Sequence, residues 1–138
     1  MTGCATGRSK PSDFPEHSYD EIELLKIDYN KSLAQEDTDY LVYFYLESCR
    51  ECSLLKNEII DFALSDYFPI YFIEVNSTLI HTYQYNEIDK TIGATNYKDV
   101  WVGLTPQLAT ISYGAVVDNK LGLVDIEYVL STYKNNRE

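Results

Sequence analysis

An apolar run that stops at two cysteines constrains this chain more than any other feature. Residues 40–46 read Tyr-Leu-Val-Tyr-Phe-Tyr-Leu, and Glu47-Ser48 leads from them into Cys49-Arg50-Glu51-Cys52. The Leu41 to Leu46 stretch has no polar alternation and is rich in aromatic and β-branched residues, as a strand buried on both faces requires. After Cys52, Leu54, Leu55, Glu58, Ile59, Phe62 and Ala63 recur at three-and-four spacing, with Lys56, Asn57 and Asp61 between them. That is the pattern of an amphipathic helix, ending near Ser65-Asp66. The CxxC pair therefore sits where a strand ends and a helix begins. A helix start has unpaired N–H groups and a positive dipole end, so a thiolate at Cys49 is expected to be stabilised there. Cys52, one turn on, lies on the same side and within reach to close a disulfide.

The chain has 138 residues, 45% of them hydrophobic, which is enough for one domain with a real core and too little for two. Eleven basic against 22 acidic residues give a net charge of −11. That balance argues against binding nucleic acid or anionic lipid as the main activity, and a solvated acidic surface is the simpler reading. No stretch approaches the roughly 20 apolar residues of a transmembrane helix.

The third cysteine stands apart. The start, Met1-Thr-Gly-Cys-Ala-Thr-Gly7, resembles the residues around a bacterial lipoprotein cleavage site, where a small residue precedes the cysteine to be lipidated. On that reading Met1 is an added start residue and Cys4 anchors an extracytoplasmic protein to a membrane. The competing reading is an incidental free cysteine on a cytoplasmic protein. Arg8 to Pro15 is polar and proline-containing, as a tether would be. Residues 1–17 are thus expected to form a flexible tether and residues 18–138 the domain.

Along that domain, Ser18-Tyr-Asp-Glu21 reads as a capping box, and Ile22, Leu25, Tyr29 and Leu33 share a helical face, so a first helix is expected over 19–35. Gln35 to Asp39 is a polar turn into the central strand. Pro69 to Asn76 reads as a second buried strand, and strand, helix, strand implies a right-handed parallel βαβ unit. The spacing predicts a helix over about 78–92, with Tyr97 to Val102 as loop or short extended chain. Gln107 to Tyr113 and Ala115 to Leu121 flank a tight turn at Gly114 and read as an antiparallel hairpin. Asp125 to Lys134 forms a closing helix, with Asn135 to Glu138 frayed.

This order resembles the thioredoxin-like family over residues 19–134. The resemblance rests on Cys49-Arg-Glu-Cys52 at a strand-to-helix junction and on Thr105-Pro106 opening the hairpin strand. It implies an α/β fold, a central mixed sheet flanked by helices, with an N-terminal helix and an insertion around Tyr83 to Val102 before the hairpin. It also implies a cis bond at Pro106 facing the CxxC, although most X-Pro bonds are trans. The implied activity is thiol–disulfide exchange with protein or peptide substrates: Cys49 attacks, Cys52 resolves, and the backbone at Thr105-Pro106 pairs with the substrate chain. Arg50 and Glu51 form the dipeptide that tunes the couple, both with side chains expected toward solvent. A redox partner protein is implied, no cofactor is needed, and a monomer is expected.

The chain departs from the family pattern. Ser48 replaces the tryptophan usual before the first cysteine, Arg50-Glu51 replaces Gly-Pro, and Tyr43 falls where thioredoxins carry a buried aspartate. A phenol there can hydrogen-bond but is no base near neutral pH. Glu47 is then the better carboxylate candidate for a proton relay, provided its side chain turns inward. These departures fit Gram-positive extracytoplasmic disulfide enzymes and bacteriocin-transport accessory proteins better than a general cytosolic thioredoxin. The alternative function is a non-catalytic binding or accessory module, associated with a transporter or immunity system, whose disulfide is structural. A zinc site is disfavoured because no second cysteine pair exists and His17 and His81, expected at the surface, are distant; no metal is expected. Tyr83, Tyr85, Tyr97 and Trp101 surround the insertion and are either packing residues or a substrate-binding aromatic patch.

Overall fold

A computed structural model describes residues 14–76 and 90–136. The expected central strand is β1 (Asp39–Tyr45), followed by α1 (Arg50–Leu64) and β2 (Ile70–Glu74). The hairpin comprises β3 (Gln107–Ser112) and β4 (Ala115–Leu121), and α2 (Leu123–Asn136) closes the domain. The four strands form one mixed sheet in the order β2-β1-β3-β4, with β1 parallel to β2 and antiparallel to β3. This is the expected α/β arrangement.

The Leu41 to Tyr45 run is buried on both faces because β1 lies in the middle of the sheet. Leu41, Tyr43 and Tyr45 face α1 and α2, packing with Cys52, Leu55, Ile59, Phe62, Ile126 and Leu130. Tyr40, Val42 and Phe44 point the other way, against Ile73, Val100, Val102, Ala109 and Ile111. Fully burying one such side chain contributes about 1.5–3 kcal/mol. The alternation therefore holds a rigid strand beneath the cysteines.

The hairpin turns at Tyr113 and Gly114, both with positive φ (50° and 75°), the geometry that matches strand twist. A bulge between Thr110 and Ile111 shifts the register of β4. α2 runs from Leu123 to Asn136, longer at both ends than the expected Asp125 to Lys134.

The expectation of one helix over 19–35 is not met. The capping box forms, with Ser18 Oγ accepting from Asp20 N–H and the Glu21 carboxylate accepting from Ser18 N–H at 2.7 Å. The helix that follows is a kinked 3₁₀ segment, Tyr19–Leu25, and a second short one spans Tyr29–Lys31. Between them Lys26 bridges Phe72 and Ile27 N–H donates to the Phe72 carbonyl at 2.9 Å. The edge of β2 offers backbone partners that a continuous helix would forgo, and β-branched Ile22 and Ile27 weaken the helical alternative. The helix expected over 78–92 lies mostly outside the described residues; of its described part, Lys90 and Thr91 have helical conformation.

Candidate active site

Cys49 follows the short loop out of β1, with its N–H donating to the Leu46 carbonyl at 3.1 Å. It is the N-cap of α1 in extended conformation (φ −77°, ψ 128°), and its sulfur accepts the N–H of Cys52 at 3.2 Å. A cysteine thus occupies the place where serine or aspartate usually satisfies a helix start. Cys49 is half-buried and Cys52 is fully buried, and both are free thiols. Burial, reinforced by the neighbouring Cys49 thiol, pushes the Cys52 thiol up to about 12.

Thr105 and Pro106 arrive against this pair. The bond between them is cis, and the Cys49 thiol donates to the Thr105 carbonyl at 3.5 Å. Pro106 is buried, and its carbonyl accepts the N–H of Gly122 at 3.0 Å, joining the start of β3 to the turn before α2.

The dipeptide behaves unevenly. Arg50 is exposed. Glu51 is exposed as well, and its Oε1 accepts the N–H of Leu123 at 2.9 Å, bridging α1 to the first residue of α2. Leu123 has an orphan N–H, as every first-turn helix residue does, and Glu51 satisfies it. Periodicity within either helix carries no sign of this contact.

Glu47 is exposed and does not turn inward. It lines a cleft of about 330 Å³ with Tyr19, Lys26, Ser53 and Lys56. Tyr43 is fully buried, and its hydroxyl faces Cys52 without a partner at full hydrogen-bond geometry. Burial, and next the nearby Cys52, raise that phenol well above its ordinary 10.0. Tyr19, read from sequence only as a helix residue, stacks on Tyr45 (4.3 Å between centroids), which in turn stacks on Tyr43 at 5.8 Å. Only the alternation of Tyr43 and Tyr45 along β1 hinted at this column.

His17, expected at the surface, is mostly buried: its Nδ1 lies 3.0 Å from Glu21 and its Nε2 3.7 Å from Asp61. His81, Tyr83, Tyr85 and Cys4 lie outside the described residues. Tyr97 packs edge-on against Tyr29, and Lys90 sits 5.6 Å over the Trp101 ring. Among the described residues no group of three or more histidine, cysteine or acidic side chains converges as a metal site.

No protein-family model matches the sequence. No curated protein sequence matches it either. The fold does have counterparts among solved structures. Mitochondrial thioredoxin 3 of Saccharomyces cerevisiae, in its oxidised form, superposes with a TM-score of 0.53 at 11% identity, covering 83% of this chain and 97% of the other. Thioredoxin f2 of Chlamydomonas reinhardtii gives 0.51 at 16% identity, covering 80% and 94%. Plasmodium falciparum thioredoxin gives 0.51 at 15%, covering 78% and 97%. At these identities the likeness establishes the fold alone: the chain has a thioredoxin-like fold.

Proposed function

We propose that this chain is a thiol–disulfide oxidoreductase acting on protein or peptide substrates through Cys49 and Cys52. The observation that carries the reading is a free dithiol at the start of α1, its outer sulfur half-buried against the Thr105 carbonyl and its inner one buried. In the first step the Cys49 thiolate attacks one sulfur of a substrate disulfide. That S–S bond breaks, a Cys49–substrate disulfide forms, and the other substrate sulfur leaves as a thiolate and takes up a proton. Cys52 then loses its proton and attacks Cys49 Sγ, forming the Cys49–Cys52 disulfide and releasing the second substrate sulfur. Two electrons pass from protein dithiol to substrate disulfide, and the same steps in reverse oxidise a substrate dithiol. Thr105 and Pro106 frame the position where a substrate backbone meets Cys49, and a redox partner protein resets the pair.

The Glu47 carboxylate is exposed in the cleft beside Tyr19 and Ser53, and the reading assigns it no direct contact with Cys52. The reading extends to a monomeric, extracytoplasmic protein anchored by lipid at Cys4, supported by Gly3-Cys4 and the polar stretch after it. Intact-mass measurement of the native protein tests the anchor, which an unmodified Cys4 would remove. The activity is tested by insulin reduction with dithiothreitol: the chain accelerates it and Cys49→Ser does not. A wild-type chain without effect would leave a non-catalytic binding module.

A further inference from the structure

We propose that Glu51 is a positioning residue: its carboxylate clamps the first turn of α1 to the start of α2 and so holds the backbone beside Thr105-Pro106 in the shape a substrate chain meets. This rests on the oxidoreductase reading and adds a part to that site. The contacts close a circuit. Cys49 Sγ donates to the Thr105 carbonyl at 3.5 Å, and the next carbonyl, of Pro106, accepts from Gly122 N–H at 3.0 Å. Leu123 N–H, one residue on, donates to Glu51 Oε1 at 2.9 Å, and Glu51 lies between the two cysteines. The Pro106–Gly122 link continues the β3–β4 ladder by one rung, whereas the Cys49–Thr105 and Glu51–Leu123 links join residues 56 and 72 positions apart and are not products of helix or hairpin formation.

Gly122 fits the arrangement. Its φ is +89°, the conformation glycine tolerates best, and a Cβ there would stand 3.7 Å from Glu51 Oε1. The backbone therefore passes close under the carboxylate. Leu123 opens α2, so no earlier residue of that helix can accept from its N–H. Glu51 supplies the acceptor, and with it a negative charge at the positive end of α2. Leu123 and Cys49 both pack against the main core, so movement at one end of the clamp reaches the other.

Three substitutions separate the clamp from the charge. Glu51→Gln keeps an acceptor of the same length without charge, Glu51→Asp keeps the charge one methylene short, and Glu51→Ala removes both. Amide hydrogen exchange of Leu123 in the full chain reads the clamp directly. The proposal expects protection in the wild type and in Glu51→Gln, and about tenfold faster exchange in Glu51→Asp and Glu51→Ala, as for one hydrogen bond lost. With a peptide disulfide as substrate, KM is severalfold higher in the Ala variant than in the Gln variant, both of which lack the charge while only Gln keeps the acceptor. An unprotected Leu123 amide in the wild type, or Gln kinetics matching Ala, overturns the proposal. If the wild type shows no exchange activity at all, the oxidoreductase reading fails, and the amide measurement still decides the clamp.

Discussion

The Cys49 sulfur lies 3.5 Å from the carbonyl oxygen of Thr105, a residue 56 positions further along the chain. That pairing sets a half-buried attacking sulfur against the Thr105 carbonyl, with the second thiol buried beneath. The two cysteines are therefore expected to differ sharply. Cys49→Ser abolishes exchange. Cys52→Ser leaves attack intact but removes the resolving thiol, so it accumulates a covalent adduct with a peptide disulfide, visible by mass spectrometry under non-reducing conditions. Adducts in Cys49→Ser and none in Cys52→Ser would reverse the roles.

Cys52 carries a thiol pushed up to about 12, by burial first and by Cys49 next. Below that value its thiolate fraction grows tenfold for each unit of pH, so resolution of the mixed disulfide is expected to accelerate by about a hundredfold between pH 7 and 9. Stopped-flow decay of a Cys49 adduct bearing a chromophoric leaving thiol measures it. A pH-independent decay would mean that Cys52 ionises freely.

Tyr45 is fully buried and its hydroxyl has no hydrogen-bond partner among the described residues. Burying such a hydroxyl costs about 1–3 kcal/mol, whereas its ring stacks on Tyr19 and Tyr43 regardless of the oxygen. Tyr45→Phe is expected to leave stability unchanged or raise it by up to about 1 kcal/mol in urea unfolding. Tyr45→Ala, which removes the ring, is expected to cost about 3–5 kcal/mol.

Glu58 on α1 and Glu127 on α2 are both buried between the two helices, with Lys134 Nζ 3.9 Å from Glu58 and Asp61 nearby. Burial, then the hydrogen bond and charge of Glu127, push the Glu58 carboxyl up to about 8 from an ordinary 4.5, against a smaller pull from Lys134. The folded state therefore holds a proton that the unfolded chain releases. The stability this contributes is fully present below pH 4.5 and is lost as pH rises toward 8, at a slope of at most about 1.4 kcal/mol per unit. Urea midpoints at pH 5 and 8 test this: the wild type loses stability across the interval and Glu58→Gln loses much less.

The parts legible in the sequence are those that local pattern dictates. The unbroken Leu41 to Leu46 run marked the central strand, three-and-four spacing after Cys52 marked α1, and Gly114 marked the hairpin turn. The cysteine pair and Thr105-Pro106 were legible as motifs, though only the fold brings them together. What escaped depends on contacts between distant segments. Ile27 bonds to Phe72 and breaks the helix expected over 19–35. Glu51 reaches Leu123 across 72 residues. Tyr19 joins the tyrosine column only because the N-terminal segment folds over β1. None of these leaves a periodic trace.

The central claim is that Cys49 and Cys52 form a working redox couple. Its most direct test is equilibration of the full chain in glutathione buffers of graded potential, with the thiol state read by acid quenching, alkylation and mass spectrometry. The account predicts one reversible two-electron transition that converts the pair between dithiol and disulfide and is absent in Cys49→Ser. A pair that stays fully reduced or fully oxidised across the whole series would contradict it.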